Sequence, residues 1–154
     1  MRDLATVLSE QEAFAVLERA HLDELAGCSR IVRYRPGDRV FGEGDAAESC
    51  HVVRRGRIAL AIHGAQRGRD VIATYGPGQI VGWSWLFAPY RWQFDAWAAM
   101  DSSAVVMDAA CVRSKCDADP RFGYALVKRV AGLAIDRLQA TRLQLLDVYG
   151  SDGR

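Results

Sequence analysis

Between Ile31 and Gly82 the chain is cut into short apolar-alternating runs by turn-forming residues, and this punctuation narrows the possible folds more than any other feature. RIVRYRPGDRVFGEGD reads as strand, Pro-Gly-Asp turn, strand, Gly-Asp turn, because proline presets a turn dihedral and glycine accepts positive φ. CHVVRRGRIALAIH supplies two strands around Arg55-Gly56, and RDVIATYGPGQIVG another that ends at Gly76-Pro77-Gly78. Ser103 to Met107 makes a last strand. Short strands at this spacing point to an antiparallel sandwich or barrel, not to a parallel sheet.

Helical patterns flank the strands. Ser9, followed by Glu10, Gln11 and Glu12, offers an N-cap, and Phe14, Val16 and Leu17 supply an apolar stripe. A second helix around Leu22 to Ala26 should stop at Gly27. From Asp119-Pro120 the chain turns helical again, with Val127, Ala131, Ala134, Leu138, Thr141, Leu145 and Val148 recurring at gaps of four and three, a heptad seam. A second stripe, Leu126, Val130, Leu133 and Ala140, is available to cover a barrel. A helix of nearly thirty residues, about 40 Å long, outruns a small barrel, so the seam is expected to meet a second copy in a parallel homodimer. The organisation expected is a single domain over residues 1–154, with helices at 9–27, a barrel at 31–108 and C-terminal helices at 109–149.

Composition bounds the function. The 154 residues carry a formal net charge of +1, so charge gives no support for a nucleic-acid surface. The N-terminus lacks a signal-type apolar region and no run is long enough to span a membrane, which suggests a cytoplasmic protein without membrane contact. In that setting Cys28, Cys50, Cys111 and Cys116 are expected as reduced thiols. CVRSKC has four residues between its cysteines, unlike zinc knuckles or thioredoxin-like sites, and His21, His51 and His63 match no ligand spacing. A redox role for Cys111 and Cys116 is a distant third reading. With no paired carboxylates and no nucleophile triad, neither catalysis nor a bound metal is expected.

One stretch stands apart. GWSWLFAPYRWQFDAW, residues 82–97, holds all four tryptophans. In order, a helix pair, YRPGDRVFGEGDAAESCHVVRRGRIAL, YGPGQIVG, an irregular segment, a strand and a long helix resemble the cyclic nucleotide-binding domain of the Crp/Fnr regulators. The resemblance rests on Pro36-Gly37-Asp38, Gly44-Asp45, Gly56 and the Gly78-x-x-x-Gly82 spacing, and it covers residues 9 to 149. It implies a mainly β, eight-stranded antiparallel jelly-roll barrel with N-terminal helices and a long C-terminal helix, and a pocket floored by the segment after Gly82.

In the family that segment is a phosphate-binding cassette. A short helix presents backbone N–H groups to the cyclic phosphate, an acid takes the ribose hydroxyl and an arginine pairs with the phosphate. Here Trp83 stands at the acid's position, and Trp92 or Phe94 at the arginine's, with Arg91 close by. Two lost charged contacts, at roughly 1.5 to 3 kcal/mol each, weaken binding a hundredfold or more. Three indoles and a phenyl ring then either fill the pocket or wall it for a flat, mostly apolar ligand. The candidate ligand residues are Gly82, Trp83, Ser84, Arg91, Trp92, Phe94 and Asp95; Ser84 could instead cap the cassette helix, and Arg91 and Asp95 could pair with each other. Family transcription factors continue into a helix-turn-helix. Here the sequence ends after the long helix, so direct DNA binding is not expected; either output runs through an unknown partner protein, or the sequence is an isolated regulatory domain of something longer. Arg137 and Arg142 read as a solvated face. The expected function is a regulatory small-molecule sensor with no resident cofactor. Its ligand is a cyclic nucleotide or another small planar molecule, and the alternative is a non-binding interaction module.

Overall fold

The computed structural model describes residues 3–64 and 68–152. Helix α1 spans Leu4–Ser9 and α2 spans Arg19–Ala26. Strands follow as β1 (Ser29–Tyr34), β2 (Arg39–Phe41), β3 (Ser49–Arg55), β4 (Ile58–Gly64), β5 (Gly68–Tyr75), β6 (Asp95–Ala98) and β7 (Ser102–Asp108), then α3 (Ala109–Ala118) and α4 (Pro120–Asp152). The strands form two antiparallel sheets, ordered β1-β7-β3 and β2-β6-β4-β5, which face each other as a jelly roll. Seven strands are thus defined among the described residues. The eighth run of the expected barrel is the short stretch 78–81, which exchanges backbone bonds with β3 (Gly78 N–H to Val53, Val53 N–H to Gln79, Val81 N–H to His51; 2.7–3.0 Å) without forming a full strand.

The turns sit where the glycines put them. Gly56, at φ +88°, joins β3 to β4, and a Cβ there would come within 2.7 Å of the Ser102 Cα, so a larger residue is excluded by both space and dihedral. Between the sheets and beneath the helices runs one apolar core, in which Trp85, Phe14 and Phe122 are the largest fully buried side chains.

Three expectations at the flanks are corrected. Asp3, not Ser9, caps the first helix: its carboxylate accepts the Thr6 N–H at 2.7 Å, and the Ser9 hydroxyl turns back to the Thr6 carbonyl at 2.6 Å. Residues 11–17 form successive tight turns, Phe14 N–H to Gln11 and Leu17 N–H to Phe14, which bury Phe14 and leave Val16 exposed. The cysteines are not all reduced, for Cys28 and Cys111 form a disulfide with Cα atoms 5.8 Å apart. The Asp108 N–H donates to the Cys28 carbonyl at 2.9 Å, so the start of α3 is carried back to the end of α2, a proximity invisible across 83 residues of sequence. Cys111 therefore has no pairing left for Cys116, which remains a half-buried thiol.

Helix α4 begins as expected at Pro120, with the Asp119 carboxylate accepting from the Arg121 and Phe122 N–H groups. Its 33 residues extend about 50 Å. Phe122, Leu126 and Val130 are buried and Leu133 is half-buried, so the barrel takes the second stripe, although Ala140 lies beyond it and is exposed. Arg129 ties the helix down, donating to the Ala13 and Glu12 carbonyls at 2.6 and 3.0 Å. The heptad seam faces away: Val127, Leu138, Leu145 and Val148 are exposed, as is Thr141, while Ala131 and Ala134 are half-buried.

Candidate functional site

The segment after Gly82 is where the structure departs from a helix. Residues 83–89 form turns held by the Leu86 N–H to the Trp83 carbonyl (3.1 Å) and the Tyr90 N–H to the Phe87 carbonyl (3.0 Å), with a cis Ala88-Pro89 bond and Tyr90 at φ 55°. No α-helix forms there, so Ser84 has no helix to cap. Two features position the segment. Gly82 sits at φ +76°, and a Cβ on it would meet the Trp92 ring at 3.1 Å, so the chain turns tightly against that indole. From α3, Arg113 donates to the Trp85 carbonyl and lays its guanidinium 4.2 Å from the Tyr90 ring centroid.

Trp85 faces inward completely, with its indole N–H on the Gly82 carbonyl at 3.2 Å, and it belongs to the core. Trp97 lies half-buried on β6. The remaining two indoles, Trp83 and Trp92, together with Phe94, border a cavity of about 440 Å³. Tyr75 and Phe87 extend this aromatic wall, and β4 and β5 add Leu60 and Ile72. Cavities of this volume and lining accept small organic molecules.

Six of the seven residues singled out from the sequence, Gly82, Trp83, Ser84, Arg91, Trp92 and Phe94, border this one cavity. Asp95 does not: it is buried on β6, where its carboxylate accepts the Glu43 N–H at 2.8 Å and anchors the turn after β2. Arg91 lies at the cavity edge with its Nη1 on the Gly44 carbonyl at 3.0 Å.

Sequence reasoning missed the residues that α4 contributes. Arg137, read as solvated, is half-buried; its guanidinium lies 4.1 Å from the Tyr75 ring centroid and reaches the Thr74 carbonyl at 3.4 Å. Thr141, counted with the seam, also lines the cavity. Both lie on the same helix face four residues apart, a spacing that a search for ligand residues on α4 could have used. The interior wall is set by Trp92, stacked on Phe41 with ring centroids 3.7 Å apart and planes 5° apart.

No curated protein sequence matches the chain. Solved structures do resemble it. A Geobacter metallireducens GS-15 protein assigned to cyclic nucleotide binding superposes with a TM-score of 0.79 at 23% identity, over 90% of this chain and 99% of that one. The N-terminal domain of a transcriptional regulator from Streptomyces coelicolor A3(2) gives 0.69 at 25% identity, over 91% and 95%. The catabolite activator protein of Thermus thermophilus gives 0.69 at 20% identity, over 90% of this chain and 63% of its own. Residues 31–119, more than half of the chain, match the family model described as the cyclic nucleotide-binding domain. With its jelly roll, its glycine-set turns and its cavity under residues 82–94, the chain belongs to the cyclic nucleotide-binding domain family.

Proposed function

We propose that the chain is a regulatory sensing module whose cavity takes a flat, mostly apolar ligand in place of a cyclic nucleotide. The observation that carries this reading is the cavity itself. It measures about 440 Å³, and Trp83, Trp92, Phe87 and Phe94 are among the rings that wall it. Trp83 and Phe94 offer stacking surface where a ribose phosphate needs charge-assisted bonds. Arg91 and Arg137 stand at the edge and can hold one polar substituent of such a ligand.

Arg137 and Thr141 belong to α4, so a ligand touching them changes the contacts between helix and barrel. Differential affinity for two helix positions is what a population shift requires. The seam of Val127, Ala131, Ala134, Leu138, Thr141 and Leu145 is proposed to meet a second copy, and the dimer to act on a partner protein. One observation favours the alternative of a ligand-free interaction module: Trp92, stacked on Phe41, already occupies part of the barrel interior.

Intrinsic tryptophan fluorescence decides between them. Titration with cyclic AMP, cyclic GMP and a panel of planar metabolites should leave the cyclic nucleotides weak while at least one planar compound shifts emission saturably. Tight cyclic AMP binding that is lost in Arg91→Ala overturns the sensor of apolar ligands, and no response to any compound favours the interaction module.

A further inference from the structure

A second cavity, of about 630 Å³, shares Phe41, Trp92 and Arg91 with the first and is otherwise built from different residues. Its base is one cross-strand row of the three-stranded sheet, in which Arg30 and His51 both pair with Val106. Residues paired across adjacent strands share a face, so Arg30 and His51 look into the same space, and Tyr34, four residues further along β1, does so too.

Two polar groups in this row lack partners. His51 is only 6% exposed, and its Nδ1 is buried with no hydrogen bond. Its ring instead leans on Phe41 and Trp92, with centroids 5.8 and 6.3 Å away. Arg30, exposed at the cavity mouth, has no hydrogen-bond or ion-pair partner among the described residues. A buried nitrogen left unbonded gives up its hydration without a replacement partner, and such groups in native proteins call for an explanation.

Charge narrows the ligand. Arg30, Arg91, Asp45 and Glu48 all line the cleft, but Asp45 already holds Arg39 at 2.9 Å, which leaves an excess of one positive charge. That excess suits a single negative charge, and Glu48 on the rim works against a dianion. We propose that this cleft is a binding site for a small monocarboxylate, held by the Arg30 guanidinium and the His51 imidazole, with the Tyr34 hydroxyl within the same space. Burial keeps His51 neutral, its pKa pushed down to about 4, so it donates one N–H without adding charge, and the carboxylate selects the tautomer that points this N–H at it. Phe41 and Trp92 divide the site from the apolar cavity, and Arg91 borders both.

The test is an NMR titration of the isotope-labelled full chain with acetate, pyruvate and benzoate, and with inorganic phosphate as the competing anion, following the His51 ring resonances. At least one carboxylate should shift them saturably, and its affinity should fall roughly tenfold or more in Arg30→Ala, as for loss of a charge-assisted hydrogen bond, while Arg137→Ala leaves it unchanged. Arg30 is exposed, so the variant should keep the fold, and circular dichroism checks this. The site is overturned if no carboxylate moves His51, if Arg30→Ala binds as tightly as the wild type, if phosphate binds as well as the carboxylates, or if Arg137→Ala abolishes the shift.

Discussion

Phe41 on β2 and Trp92 beyond the irregular segment stack face on face, ring centroids 3.7 Å apart and planes 5° apart, and the pair lines both the 440 Å³ and the 630 Å³ cavity. Trp92 is 4% exposed and Phe41 6%. The stack therefore packs as part of the interior while bordering open space on two sides.

Trp92→Ala removes this partition. Large-to-small changes of this kind cost about 3 to 5 kcal/mol, and the low end is expected because cavities already flank the ring. Thermal unfolding should show a fall of several degrees. A variant as stable as the wild type would mean that the stack contributes little packing and that the segment closes without it.

The disulfide between Cys28 and Cys111 closes a separation of 83 residues. In the chain-entropy treatment a loop of that size stabilises by at most about 4.5 kcal/mol. A reductant should lower the unfolding midpoint of the wild type and leave that of the Cys28→Ser/Cys111→Ser double variant unchanged. Equal midpoints with and without reductant in the wild type would contradict this contribution.

Much of the barrel was legible because its turns are chemically explicit. Pro36-Gly37-Asp38, Arg55-Gly56 and Gly76-Pro77-Gly78 mark strand ends that hydrophobic alternation alone would blur, and Gly82 marks the tight approach to Trp92. Local signals compete at the first helix: Ser9 has cap chemistry, but Asp3 stands six residues earlier with its carboxylate on the Thr6 N–H. The absence of a cassette helix follows from Pro89, which removes a donor, and from Tyr90 at positive φ, and neither effect has a period to detect. Arg137, Cys111 and His51 acquire their surroundings only from chain segments far away in sequence, Tyr75, Cys28 and Arg30 respectively, so no local pattern announces them.

The exposed leucines of α4 bear on assembly. Leu138 and Leu145 are each 51% exposed, one heptad apart, on a face the barrel leaves uncovered. If that face is a dimer seam, Leu138→Asp and Leu145→Asp place like charges opposite each other in the paired helices. Sedimentation velocity should then show a dimer for the wild type and a monomer for each variant at the same concentration. A monomeric wild type would remove the seam from the proposed mechanism.

His51 gives the chain a definite response to acid. In the unfolded chain its imidazole takes up a proton as pH falls through about 6.5, whereas in the fold desolvation, reinforced by Arg30, holds it neutral down to about 4. Between those values the unfolded state binds more protons, so stability declines as pH falls, is unaffected by this group above pH 6.5, and reaches a constant deficit of about 3 kcal/mol below pH 4. The charged and titratable groups around it are Arg30 and Tyr34 from β1, Asp45 and Glu48 from the loop before β3, and Arg91. Because carboxylates elsewhere also titrate, the informative quantity is the difference between wild type and His51→Gln in denaturant midpoints from pH 7 to pH 4. That difference should narrow or reverse in favour of the variant as pH falls, since glutamine cannot take up the proton; a difference flat across the range would mean that His51 titrates alike in both states and is not shielded by the barrel. A saturating monocarboxylate should weaken the acid response of the wild type alone, because a negative charge beside the ring favours the protonated imidazole in the folded state.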